Sequence, residues 1–126
     1  MRSVNKVILI GHLTADPEVK LTESGKSLAL MSVATNNVFR GEDGEMNTRV
    51  DFHRVIAWQN LAEICGEYLK KGSAVYLEGR IAHHSYTSAE GDKKFVSEIV
   101  ADTINILSWK KVREGEQTVE LEEVGK

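Results

Sequence analysis

The chain has 126 residues, 41% of them hydrophobic and 28% charged, with a formal net charge of −3. That is the size and composition of one ordinary globular domain, and no apolar run reaches the roughly 20 residues of a transmembrane helix. The single cysteine can form no internal disulfide, so a reducing, cytoplasmic compartment is expected.

The negative total argues against a nucleic-acid partner until its distribution is read. Glu114 to Lys126 contains five glutamates and one lysine. Met1 to Arg113 holds 15 basic and 14 acidic residues, a net of +1. A polyanion would therefore be met by local cationic patches, not by a basic whole.

Val4 to Leu13 is the first predicted strand. Its run Val7-Ile8-Leu9-Ile10 is the pattern of a strand buried on both faces, and Gly11 marks a bend. MRSVNKVILIGHL fails as a signal peptide, because no small-residue cleavage site follows and Asp16-Pro17 intervenes. Glu18 to Leu21 resumes as extended chain, and Glu23 to Lys26 is a turn. Gly25-Lys26-Ser27 looks like the end of a phosphate-binding loop. Lys20, however, stands where the first glycine belongs, and no helix follows. Ser27 to Phe39 is a long second strand, and Arg40 to Asn47 an exposed loop.

Val50 to Gly72 is the most informative stretch. Phe52, Arg54, Ile56 and Trp58 share one parity and so one face of a strand. A buried face would take the rings but not an unpaired arginine. A surface that stacks nucleobases and meets phosphates would take all of them. Phe52 and Trp58 are six residues apart, roughly 20 Å of extended strand, which suits a platform for several bases. A helix follows, with Asn60 as the expected N-cap and Glu63 completing a capping box. Leu61, Ile64, Cys65 and Leu69 form its apolar stripe. Lys70 and Lys71 suit its negative end, and Gly72 its stop. Gly66 inside the helix implies either a close neighbour or simple tolerance.

Ser73 to Tyr86 is predicted as the next strand, with Val75, Leu77 and Ile81 on one side and Tyr76, Glu78, Arg80, His84 and Tyr86 on the other. Thr87 to Lys93 is a hairpin loop. Lys94 to Leu107 returns with Val96, Val100, Ile104 and Ile106 on one parity. The order is three strands, one helix, two strands. Long strands with glycine bends favour closure into a barrel. The expected fold is all-β: the OB-fold, a five-stranded Greek-key barrel with one helix between the third and fourth strands. Residues 1–108 form this domain in the expectation, and 109–126 a flexible acidic segment.

VNKVILIGHLTADPEVK, FHRVIAW and LAEICGEYLKKGSAVYLEGRI, in this order between Val4 and Ile106, resemble the bacterial-type single-stranded DNA-binding protein family. The resemblance implies a non-enzymatic OB-fold protein that binds and protects single-stranded DNA, with little sequence preference, during replication, recombination and repair. It implies a homo-oligomer, expected as a tetramer, and a cytoplasmic, nucleoid-associated location. The family's base-stacking aromatics fall on Phe39, Phe52, Trp58 and Tyr86. Lys6, Lys20, Arg49, Arg54, Lys70, Lys71 and Arg80 are the candidate phosphate contacts, by proximity to those rings or by matching motifs. His53 matches a position near the family's subunit contact. Family members end in an acidic tail whose tip recruits replication and repair proteins. This chain ends ELEEVGK, without the usual proline-phenylalanine tip, as a truncated or a divergent member would, so the resemblance leaves that partner class open.

The remaining residues point to simpler roles. Tyr68, Tyr76 and Phe95 match none of the stacking positions and are expected to pack. Trp109 lies past the last strand, covering a barrel end or dangling. His12, His53, His83 and His84 with Cys65 show no zinc spacing, so neither a metal nor another cofactor is expected. An OB-fold RNA-binding module and a replication-complex interaction module that has lost DNA binding are the rival readings.

Overall fold

The computed structural model describes residues 2–107; the acidic segment and Trp109 lie outside the described residues. Six strands and one helix follow in order: β1 (Val7–Leu13), β2 (Glu18–Leu21), β3 (Ser27–Arg40), β4 (Met46–Trp58), α1 (Asn60–Tyr68), β5 (Ala74–Thr87) and β6 (Lys93–Ile106). The sheet order is β1-β5-β6-β4-β3-β2, and a further pairing of β1 with β3 closes the five long strands into a ring. The short β2 only extends the β3 edge. Without it, the helix falls between the third and fourth strands of a closed five-stranded barrel, as the sequence predicts.

The core is the inward parity of each strand: Leu13 of β1; Ala29, Met31 and Val33 of β3; Val55 and Ala57 of β4; Val75 and Leu77 of β5. Ala62, Cys65 and Leu69 of the helical segment complete it. Burial holds the Cys65 thiol protonated, with its pKa pushed up to about 11.

Local expectations are corrected in β1, in β6 and in the helix. The apolar run of β1 is buried on one face only, because Ile8 and Ile10 point outward, 55% and 61% exposed. In β6 the single apolar parity breaks. Glu78 pairs with Thr103 but Gly79 with Ala101, so Asp102 is an extra residue in the ladder. The bulge switches sides: Ile99 and Ala101 enter the core before it, Ile104 and Ile106 pack against the core after it. The helix begins after Gln59, which caps with its backbone at φ 57° and no side-chain bond, and it ends at Tyr68. Glu63 instead accepts from the Ser27 hydroxyl at 3.3 Å, and Ile64 stays exposed. Gly66 has the close neighbour: a Cβ there would lie 2.6 Å from Val19 Cγ2.

Beyond the barrel, β3–β4 and β5–β6 run on as two long hairpin arms, paired to Arg40–Met46 and Thr87–Lys93 respectively. Between the arms, β4 and β6 pair in parallel only at Val55–Ile99 and Ile56–Val100.

Candidate nucleic-acid interface

Strand alternation builds the outer face of β4. His53, Val55 and Ala57 point inward, so Phe52, Arg54 and Trp58 point out. Phe52 is 67% and Trp58 39% exposed, rings left in solvent although the core had room for apolar residues of the same strand. Cross-strand pairing extends this face. Trp58 stands beside Leu28 and then Lys20, and Arg54 beside Ser32. A shallow cleft of about 580 Å³ runs along it, lined by Lys20, Leu30, Ser32, Phe52 and Arg54, with Asp16 and Glu18 at its edge.

On the other side of Arg54 the face continues across the gap between the arms. Arg54 Nε donates to Glu98 Oε2 at 3.0 Å, and His84 Nδ1 lies 3.1 Å from Glu98 Oε1. Tyr86 follows two residues after His84, on the same side of β5 by alternation. It is exposed too. Arg80 projects on the same face, opposite Val100, which in turn faces Ile56. The structure thus gathers Phe52, Trp58, Tyr86, Arg54, Lys20 and Arg80 onto one continuous outer face.

The other candidates lie elsewhere. Phe39 is exposed but pairs with Asn47, an odd number of residues from Phe52, so it occupies the opposite side of the β3–β4 arm. Arg49 is on that same opposite side, paired with Asp51 at 3.2 Å. Lys6 is on the β1–β5 side of the barrel, 3.0 Å from Glu78. There the Tyr76 hydroxyl donates to Glu78. That bond, aided by Lys6, holds the Glu78 carboxyl below its usual range; the same bond, with burial and the Glu78 charge, holds the Tyr76 phenol above its own. Lys70 and Lys71 follow the helix, where the Lys71 N–H is bonded to Asp16. His53 is half-buried beneath Phe52, bonded through Nε2 to Thr35 Oγ1 at 2.9 Å.

Four residues escaped the sequence reading. Lys26, in the turn before β3, lines a cleft of about 400 Å³ together with Trp58 and Gln59. A lysine in a turn carries no local signal of the ring it will meet. Phe95 is not packed: it is 76% exposed on the β5–β6 arm, with Lys93 Nζ 5.8 Å from the ring centre. Tyr68 is likewise half exposed on the helix. Glu98 reads as a solvated carboxylate in an alternating strand, yet it is only 7% exposed. Among the described residues, no group of three or more His, Cys, Asp or Glu side chains could hold a metal ion.

The family model for the single-strand binding protein family matches residues 4–107. Single-stranded DNA-binding protein 1 of Chlorobaculum tepidum is 44% identical over 110 residues, covering 86% of this chain and 68% of that protein. The single-stranded DNA-binding protein of Xylella fastidiosa (strain Temecula1) is 43% identical over 106 residues, 84% of this chain and 65% of that protein. Among solved structures, a Plasmodium falciparum SSB complex with ssDNA superposes with a TM-score of 0.75 at 28% identity, over 84% of this chain and 95% of that one. A deletion mutant of the single-stranded DNA binding protein from Thermus aquaticus gives 0.73 at 30% identity, over 90% and 52%. By the match of the family model across the whole barrel and by these relatives, the chain belongs to the single-strand binding protein family.

Proposed function

We propose that this protein binds and protects single-stranded DNA with little sequence preference, in replication, recombination and repair. It acts as a binder rather than an enzyme. The observation that carries the reading is the outer face of β4, where Phe52 and Trp58 stand exposed on either side of Arg54, with Lys20 alongside. Exposed rings spaced along a strand offer π-faces that any base can stack on, and the interleaved cations meet the phosphates. A duplex hides its base faces and would find nothing to stack here. A mobility-shift assay with unstructured single strands against duplex of equal length tests the reading; equal retardation of both would contradict it.

Phe52, Trp58 and Tyr86 are the stacking residues in this reading, with Arg54, Lys20, Arg80 and Lys26 as phosphate contacts. Phe39 and Arg49 would take the strand as it passes to the other side of the β3–β4 arm. Lys6, Lys70 and Lys71 lie off the outer face of β4 and would meet only a strand that wraps the barrel. A homo-oligomer, expected as a tetramer, is supported by the exposed pair Ile8 and Ile10 on β1. Residues 1–108 are the binding domain and 109–126 a separate appendage, whose stretch Glu114 to Lys126, with five glutamates and one lysine, disfavours DNA by charge. His53 lies behind the platform, where a subunit contact would couple to Phe52. The proposed location is cytoplasmic and nucleoid-associated.

A further inference from the structure

Glu98 is the one buried charged residue among those described. It sits just past the two parallel pairs that join β4 to β6. Beyond them the arms are bridged by side chains. One Glu98 oxygen accepts from Arg54 Nε at 3.0 Å on β4, and the other lies 3.1 Å from His84 Nδ1 on β5. A carboxylate this buried persists only when both oxygens are engaged, and both are.

The consequence falls on Arg54. Its side chain is half exposed, and Nε is the atom Glu98 holds. A guanidinium bonded through Nε keeps its terminal N–H groups available for a phosphate. A long side chain already held loses less rotamer freedom when the strand arrives.

We infer that Glu98 is a positioning residue for single-strand binding: its buried carboxylate on β6 holds Arg54 of β4 beside Phe52, and so ties the β5–β6 arm to the platform, while His84 of the same arm engages its other oxygen. The inference rests on the single-strand DNA reading above. It opposes what charge alone predicts. A bare negative charge next to the binding face should repel phosphates, so removing it should tighten binding. A positioning role requires the opposite sign.

The test uses the full chain, oligothymidylate as probe and two salt concentrations. Glu98→Gln keeps the shape and removes the charge; Glu98→Asp keeps the charge and shortens the reach. Each is expected to weaken binding about tenfold, the scale of one charge-assisted hydrogen bond. In an Arg54→Met background, Glu98→Gln should have no further effect. Unchanged or tighter binding by both variants overturns the inference. So does an equal loss with and without Arg54, which would mean that Glu98 acts through the fold alone. Should the Glu98 variants fail to fold, Arg54→Lys decides. It keeps the charge but lacks Nε, so affinity should fall about tenfold while the salt dependence stays unchanged; wild-type affinity overturns the inference. A wild-type chain that ignores oligothymidylate overturns the single-strand reading itself, and the inference with it.

Discussion

Gly79 lies against the backbone of Val100 so closely that a side chain there would run into the Val100 carbonyl oxygen. This is the point where β5 meets the β6 bulge, and the approach lets the barrel wall turn before the strands run out into an arm. Glycine is required for its missing Cβ rather than for an unusual φ. Gly79→Ala should destabilise the fold by about 1–3 kcal/mol, as overpacking at a rigid contact does. Chemical denaturation checks this: the midpoint should fall with the slope unchanged, and a wild-type midpoint would show that the wall can yield.

Trp58 is exposed on the outer face and contributes nothing to the barrel's core. Trp58→Ala should therefore weaken single-strand binding by roughly 1–3 kcal/mol, the worth of one base–ring stack, while the unfolding midpoint stays close to wild type. An unchanged affinity would remove Trp58 from the platform.

Lys26 reaches the same cleft as Trp58 from the preceding turn. If it meets a phosphate, Lys26→Ala should flatten the slope of log affinity against log salt by about 0.7, the value for one single-strand phosphate. An affinity loss with an unchanged slope would assign it a packing role at the ring instead.

Cys65 is buried, and its thiol is held protonated to about pH 11 from an ordinary 9.0. The folded state then binds a proton that the unfolded state has released. The thiol's contribution to stability is complete below about pH 9 and declines as pH rises toward 11. Tyr76 also titrates high, so the comparison of wild type with Cys65→Ala isolates the thiol: the gap between their unfolding free energies should shift across this window. In the native protein at neutral pH, a thiol reagent should modify Cys65 only on unfolding.

Much of the fold was legible because it is written in local periodicity. Phe52, Arg54 and Trp58 alternate with Val55 and Ala57, and the strand, its direction and its wet face follow from that. The order of strands around one helix pointed to the closed barrel. What escaped depends on remote partners. Nothing near Asp102 announces a bulge, since no glycine or proline marks it, and the parity of β6 switches only because β5 pairs with it that way. Glu98 is buried because Arg54 and His84 arrive from two other strands. Ile8 and Ile10 read as core because apolar periodicity cannot tell a core face from a face left open to solvent. The site was legible for the same reason as the fold where it lies within one strand, and hidden where Lys26 reaches it from a neighbouring turn. Phe39, a ring assigned by resemblance, proves to be on the far side of its arm, which only the hairpin register could reveal.

The most direct measurement is titration of intrinsic tryptophan fluorescence with unstructured single-stranded DNA, with duplex DNA and RNA as competitors. The account predicts strong quenching that saturates at a fixed number of nucleotides per subunit, is lost with Trp58→Phe, and resists both competitors. Absence of quenching together with absence of a mobility shift, or equal displacement by duplex, would contradict it.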